Sequence, residues 1–461
     1  MRISLAVTVL LIVAFQLLFP MTGKGQNITT EKVTLGLKDE SLEIAIKRME
    51  QQSPFRFYYR NEDIRPLAHL NLTLGTRTIE QTLGALLQNS SLSFRQIDHN
   101  ILLERKDQQS SYEIRGRVLD STDKKPIANV SVFLNNSSIG TVTDNSGSFS
   151  LKVERSGRYE LVVSIMGYTP FQKILFVDRD NLAFPGIEIA PKFITLSEVK
   201  VKPDPARDKN YKWFTEEFLG NWSLPGKCVI LNPEILDLNY DKRTGTLTAS
   251  APDFLEIENQ VLGYKIKYLL TRFSSNKKSG KANFKGSALF ETLKGDQGWQ
   301  QIWKKNRMKT YNGSVMHFLR SALENQLEAE GFKVLRLKRI ANPEYHTNPD
   351  IKYIEVLGKT PLPANEFVHL TDKRDVYALS FKDCLYVMYT KLHNYKGNLA
   401  TIPASEQPNF AKTALTFVSP YIFFDHNGII LNPESIVFEG YWAESRVAEL
   451  LPFDYEPENN Q

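Results

Sequence analysis

The side chains with which this sequence could do chemistry are few: seven histidines, two cysteines and some closely set carboxylates. A zinc peptidase site needs a His-x-x-Glu pair and a later His to hold the metal. None of His69, His99, His317, His346, His369, His393 and His426 is followed by Glu at that spacing. Glu256 and Glu258 stand two apart on an expected strand, so both side chains face the same way. Such a pair serves glycoside hydrolysis only when about 5–10 Å separates the carboxylates across a sugar-binding cleft. A solvated strand face is the simpler reading. The Asp144–Gly147 corner lacks the acidic run of a calcium loop and reads as a turn. No Gly-x-Ser-x-Gly elbow, phosphate loop or dinucleotide fingerprint occurs. Cys228 with any His is a coincidence of composition. Cys228 and Cys384 leave two readings open, a disulfide in an oxidising compartment or two buried thiols. No residue is nominated as catalytic, cofactor-binding or metal-binding.

One charge feature remains. From Asn259 to Phe290 there are seven cations, Lys265, Lys267, Arg272, Lys277, Lys278, Lys281 and Lys285, and no acid. Lys304, Lys305, Arg307 and Lys309 follow, between Trp299, Trp303 and Tyr311. Clustered cations beside aromatics suit an anionic glycan, a phosphate-bearing glycolipid or an acidic partner. That requires Lys277, Lys278 and Lys281 on a hairpin tip to share a face with Lys304, Lys305 and Arg307 on a nearby helix. Otherwise these are lysines facing water. Trp299 and Trp303, at i and i+4, are expected to pack inward.

The elements around these residues are clearest between Tyr112 and Val201. Tyr159, Leu161, Val163 and Ile165 alternate as a half-buried strand requires, and Asp144-Asn145-Ser146-Gly147 is a turn in which Gly147 takes positive φ. Several such strands in about ninety residues predict a small antiparallel sandwich. The stretch resembles the carboxypeptidase regulatory-like domain, a transthyretin-like β-sandwich. The likeness rests on Gly116-x-Val118-x-Asp120, Pro126-Ile127-x-x-Val130-x-Val132, Gly140-Thr141-x-Thr143-Asp144-x-x-Gly147-x-Phe149 and Gly167-Tyr168. It implies a seven-stranded-type, non-catalytic module over 112–202; with no metal-binding His-x-x-Glu, the peptidase itself is not expected.

Residues 27–110 read as two strand–helix–strand units, a compact open-sheet α/β domain. Leu42-x-x-Ala45-Ile46 followed by Phe57, and Ile79-x-x-x-Leu83-x-x-Leu86-Leu87 followed by Leu92-x-Phe94, resemble the short N-terminal domain of secretins and signalling TonB-dependent receptors. The resemblance implies periplasmic protein–protein contact, with envelope proteins, TonB-system or outer-membrane components as partners. A packing module without a partner is the alternative. Leu196-Ser197-Glu198-Val199-Lys200-Val201 is similar to the boundary that precedes a receptor plug. A plug and a barrel of about 22 strands do not fit the 260 residues that follow Val201 (461 − 201). The segment is expected instead to be the sandwich's last strand, with Pro203 and Pro205 in a linker.

Residues 206–461 are expected to form an α+β domain rich in antiparallel sheet. A short helix opens it (NYKWFTEEFLGN), one long helical signal runs from about Trp299 to Glu330 with Gly331 as its stop, and AESRVAELLP closes it as a short helix. The acidic tail after Phe453 is expected to fray. Four pieces resemble the C-terminal domain that follows the regulatory-like module in some Bacteroidetes-type envelope proteins, a resemblance that implies no activity. They are Leu231-Asn232-Pro233-Glu234; Leu255-x-Ile257-x-Asn259-x-x-x-Gly263-Tyr264-x-Ile266; Trp303-x-x-Asn306-Arg307; and Gly440-Tyr441-Trp442-Ala443 with Leu450-Leu451-Pro452.

At the other end, residues 3–19 are apolar and uncharged, follow Arg2, and give way to Pro20, Thr22, Gly23 and Gly25. This is the pattern of a cleavable signal peptide over 1–25 rather than a spanning anchor, which needs about 20 apolar residues. With 42% hydrophobic and 24% charged residues the rest is ordinary folded material. The net charge of +5 falls to +3 once Arg2 and Lys24 leave, which argues against a nucleic-acid binder. The chain is thus expected to be a multidomain α+β, exported protein of the periplasm or outer membrane, binding protein or glycan without catalysis, in surface assembly, transport or signalling. The alternatives are an envelope glycan-acting enzyme with its site in 206–461, and a receptor relic lacking plug and barrel.

Overall fold

The computed structural model describes residues 27–97, 99–106, 111–177, 182–192, 206–220, 227–343, 353–393 and 409–457. The apolar leader and the Leu196–Val201 segment lie outside them. Two compact units result, Met1–Lys106 and Asp107–Gln461. No helix of the described residues is long and apolar enough to cross a membrane.

In the first unit the expected alternation of strands and helices is present. Strand β1 (Lys32–Glu40) leads to α1 (Leu42–Gln52), whose N-terminus is closed by Ser41, and Leu42, Ala45, Ile46 and Met49 face the core. Then come β2 (Arg56–Tyr58), a single turn α2 (Asn61–Ile64), β3 (Leu70–Thr78), α3 (Ile79–Leu87), β4 (Leu92–Ile97) and β5 (Asn100–Arg105). Thr78 and Gln81 cap α3 reciprocally. The strands do not make one open sheet. β1 pairs with β3, while β2, β5 and β4 form a second sheet, and both cover a core of Leu35, Ile46, Phe55, Leu83 and Ile101. Alternation fixes which face of a strand is apolar but not which strand lies beside it.

The second unit begins with seven strands: β6 (Tyr112–Asp120), β7 (Ser131–Leu134), β8 (Gly140–Val142), β9 (Ser148–Val153), β10 (Gly157–Ser164), β11 (Phe171–Val177) and β12 (Leu182–Ile189). They stack as a four-stranded sheet, β11-β10-β7-β8, on a three-stranded one, β12-β6-β9. β12 runs parallel to β6, so the sandwich is not wholly antiparallel as expected, because alternation does not set strand direction. The Asp144 carboxylate accepts from Ser146 N at 2.8 Å and Ser148 N at 2.9 Å, and Gly147 has φ +74°, as the turn reading required. Tyr159, Leu161 and Val163 face the sandwich core. The opposite face of the same strands is buried too. Phe133 and Val162 pack against Leu269 and Leu289 of the next sheet, so the sandwich is one wall of a larger body.

That body opens with α4 (Arg207–Phe218) on a sheet of β13 (Cys228–Ile230), β14 (Asp237–Asp241), β15 (Thr246–Ser250), β16 (Leu255–Asn259), β17 (Tyr264–Asn276) and β18 (Lys281–Thr292), ordered β13-β16-β17-β15-β14 with β18 also on β17. Phe214, Phe218, Ile257, Ile266, Phe273 and Phe290 fill the space between helix and sheet. The single long helix expected next is three: α5 (Gln297–Tyr311), α6 (Val315–Leu323) and α7 (Leu327–Glu330). Gly313 (φ +79°) and Asn325 (φ 55°) break it, and Ser314 starts α6 by accepting from His317 N. Periodicity survived the breaks, since Leu319, Leu323 and Leu327 are all buried. Gly331, at φ +92°, ends α7 as expected.

The remaining strands are β19 (Phe332–Ala341), β20 (Tyr353–Leu357), β21 (Val368–Leu370), β22 (Tyr377–Leu379), β23 (Cys384–His393), β24 (Phe410–Phe417), β25 (Ile422–Phe424) and β26 (Ile436–Gly440). They form a sheet ordered β20-β19-β23-β24-β26 and a small one, β21-β22-β25. The closing segment is not an α-helix. It makes two 3-10 turns, Tyr441–Glu444 and Val447–Glu449, because its polar backbone is engaged elsewhere: Ala448 N donates to Leu219 O at 3.2 Å, and Ala448 O accepts from Asn259 Nδ2 at 2.8 Å. Nor does the tail fray directly after Phe453, since Asp454 is held by Ser138 and Glu456 by Arg155; residues 458–461 lie outside the described residues, and Phe453 itself is anchored. That ring enters the sandwich core beside Tyr159, with centroids 5.5 Å apart.

One local joint occurs twice, as Leu231-Asn232-Pro233-Glu234 and Leu431-Asn432-Pro433-Glu434. In each, Pro opens a 3-10 turn between two extended segments, and the Asn amide clips residues i and i+2 of a neighbouring segment. Asn232 holds Phe254 O and Glu256 N at 2.9 and 2.8 Å; Asn432 holds Tyr421 O and Phe423 N at 3.1 and 2.7 Å.

Candidate functional site

The titratable residues weighed in the sequence are dispersed by the fold. Glu256 pairs with Lys265 at 2.8 Å and Glu258 accepts from Gln260 at 2.8 Å, so the two carboxylates are parts of a solvated strand face. Cys228, half-buried on β13, and Cys384, buried on β23, are free thiols on different sheets. Burial pushes the Cys228 thiol up to about 12, which disfavours its thiolate. His317 is a core residue: its Nδ1 accepts from Gly313 N at 3.1 Å, and its Nε2 meets Glu330 at 3.1 Å. Burial holds its pKa below the usual histidine value. His426 Nδ1 lies 2.7 Å from Asp375 Oδ2, which also accepts from Arg158 N of the sandwich at 2.7 Å. Beside them Asp425 is buried, and loss of water pushes its carboxyl up to about 6. Among the described residues no three His, Cys, Asp or Glu side chains are placed to hold a metal.

The basic segment is divided as well. β17 is thirteen residues long, roughly 40 Å at 3.3 Å per residue, and α5 packs at its start while Lys277 and Lys278 stand beyond its end. The single positive face is therefore not assembled. Lys265 and Lys267 are neutralised by Glu256 and Glu291. Arg307 is structural: Nε donates to Leu262 O at 2.7 Å, Nη2 to Gly263 O at 3.0 Å, and the guanidinium lies 3.9 Å from the Tyr264 ring centroid. Trp303 is buried as expected, with Nε1 donating to Gln260 O at 2.9 Å, but Trp299 is 43% exposed. Two of the sequence pieces thus explain each other. Asn259 folds its side-chain carbonyl over Val261 N and Leu262 N, Gly263 turns at φ +69° at a place where a Cβ would fall 2.2 Å from Trp303, and Trp303, Asn306 and Arg307 take the carbonyls of 260–263.

Over this joint lies a cleft of about 240 Å³ that sequence reasoning missed. Its walls are Tyr264 and Thr292 from β17 and β18, Lys304 and Arg307 from α5, Ser138 from the sandwich, and Pro452, Asp454, Tyr455 and Glu456 from the tail. The tail is held from both sides. Asp454 accepts from Ser138 N at 2.9 Å and from the Ser138 hydroxyl, Phe453 N donates to Asn136 O at 2.7 Å, and Glu456 meets Arg155 at 2.8 Å. Arg320 donates to Phe453 O at 2.6 Å and Tyr455 O at 3.1 Å. Hydroxyls, two cations and two carboxylates converge there, a lining that can exchange hydrogen bonds with a small polar group. Both carboxylates are occupied in ordering the tail. The joining of residues from four separate stretches left no local signal in the sequence.

Residues 114–201 match the family model for the CarboxypepD_reg-like domain. No curated protein matches the chain. Among solved structures, a cohesin–X-dockerin complex from Acetivibrio cellulolyticus is 17% identical, covering 17% of this chain and 58% of that one, with a TM-score of 0.16. A DUF3823 family protein from Parabacteroides merdae is 13% identical over 42% of this chain and 85% of its own, with a TM-score of 0.14. The minor pilin GBS52 from Streptococcus agalactiae is 18% identical over 22% and 54%, with a TM-score of 0.17. This chain therefore spans less than two thirds of the cohesin complex chain and of the pilin.

Proposed function

We propose that this chain is an exported, non-enzymatic binding protein of the cell envelope, and that its cleft takes a hydroxyl-rich, hexose-sized group at the end of an envelope glycan. The observation that carries this reading is the cleft's lining. Lys304 and Thr292 can donate into a space of about 240 Å³ whose other walls include Tyr264, Tyr455 and the hydrogen-bonded carboxylates of Asp454 and Glu456, a lining suited to hydroxyl groups. The regulatory-like module, a kind of domain expected to be non-catalytic, supplies one wall through Ser138. The N-terminal unit would serve protein contact in surface assembly, transport or signalling.

Calorimetric titration with envelope-derived oligosaccharides tests the reading. The chain should bind at least one of them, and Thr292→Val combined with Lys304→Ala should weaken it at least tenfold. Absence of glycan binding, or a double variant that binds as tightly as the parent, would overturn it.

A further inference from the structure

At the end of the central sheet, opposite α5, the fold gathers four cations around a single acid, Asp241. The β14–β15 turn carries Lys242 and Arg243, and the β17–β18 turn carries Lys277 and Lys278. These turns are neighbours because β15 pairs with β17, Thr246 opposite Asn276. Asn276 staples them, donating from Nδ2 to Thr244 O and to the Thr246 hydroxyl, both at 2.9 Å. The Lys278 stem passes over Gly245, and the Lys277 ammonium sits 4.5 Å above the Trp213 ring. All four cations are exposed. The acid within the first turn, Asp241, is used by the turn itself, accepting from Arg243 N at 2.8 Å and the Thr244 hydroxyl at 2.9 Å. Further from the tip Arg272 stands across from Lys285, a like-charge pairing that opposes the sheet. Lysines at the other end of the same strand, in contrast, have glutamate partners.

We propose that this end of the sheet docks on a membrane surface through phosphate-bearing lipid headgroups. Two neighbouring turns offer separate point charges, an arrangement suited to an array of phosphates. Three aspects fit a headgroup layer: three ammonium groups and one guanidinium able to contact phosphates, an exposed surplus of four cations over the one carboxylate of Asp241, and Tyr240, 39% exposed beside Trp213, as an aromatic of the kind that sits at the interface. The claim stands apart from the glycan cleft, which uses none of these residues.

The test is co-sedimentation of the chain from Asn27 onward, both units included, with vesicles of phosphatidylcholine alone or with 30% phosphatidylglycerol. Binding is expected only to the anionic vesicles and should fall at least tenfold from low to physiological salt, where screening acts within about 8 Å. Reversing Lys242, Arg243, Lys277 and Lys278 to Glu should reduce it at least tenfold, as should the milder replacement of all four by Gln, with unchanged thermal unfolding as the check on fold. Lys305→Glu with Lys309→Glu, on α5, should bind as the parent does. No binding by the parent, binding unchanged in the Gln variant, or stronger binding to soluble acidic polysaccharide or RNA than to vesicles would each overturn the proposal.

Discussion

Arg307 satisfies two backbone carbonyls inside the 260–263 turn and covers the Tyr264 ring, so its loss strands acceptors that water reaches poorly. An unsatisfied buried group costs about 1–3 kcal/mol. Arg307→Ala is therefore expected to destabilise the second unit by about 2–4 kcal/mol in urea unfolding, and Arg307→Lys to recover less than half, since an ammonium cannot fork to two carbonyls and stack at once. Asp425 yields a prediction of opposite sign. Its folded pKa, about 6, exceeds an unfolded value of about 3.9, so between those pH values the folded state holds the proton that the unfolded state has released. Its contribution is thus most favourable below pH 4 and is lost as pH rises through 6, by at most about 3 kcal/mol. Asp425→Asn keeps an acceptor for Asn427 N and Ile429 N. It should stabilise the protein at pH 7 and, relative to the parent, remove the decline between pH 4 and 6; a parallel pair of stability–pH curves would refute this.

Among elements, the sandwich was legible because turn chemistry and alternation agree over a short stretch, with Asp144, Gly147 and the Tyr159–Val163 face all placed as their types demand. What alternation hid was the second buried face. Leu161-Val162-Val163 is a continuous apolar run, and the residues that cover Val162 lie more than a hundred positions later. A fragment of residues 112–202 carries the whole alternating pattern and its turns, and is expected to fold without its neighbours. The fragment should unfold cooperatively, but with Phe133 and Val162 bare it should self-associate in sedimentation, and Phe133→Ser should return it to a monomer. Helix breaks at Gly313 and Asn325 were available as residue types, yet the leucine stripe ran through them and masked two changes of direction. The repeated Leu-Asn-Pro-Glu was equally visible in the letters; its meaning, an amide clipping an adjacent segment, needed the fold.

For the whole molecule, charge and composition described ordinary folded material, but the cleft depends on residues 138, 264–307 and 452–456 meeting, which no window of sequence contains. The proposal of export rests on the apolar residues 3–19 and the small residues after Pro20. Mass spectrometry of protein recovered from its native envelope should find the N-terminus between Thr22 and Asn27; an intact Met1 in membrane-embedded protein would refute cleavage. Phe453→Ala should cost about 3–5 kcal/mol and lower the unfolding midpoint of the second unit, because the ring fills part of the sandwich core.

The placement of Phe453 and Asp454 also has a meaning in time. Asp454 binds a residue made 316 positions earlier. At about 5–20 residues per second, the sandwich waits roughly 15–60 s of synthesis for the side chains that close it. Until then its open end and the bare Phe133 face are surfaces that a chaperone can hold, and a message cut short near its end would yield a protein complete in every strand yet still unlatched.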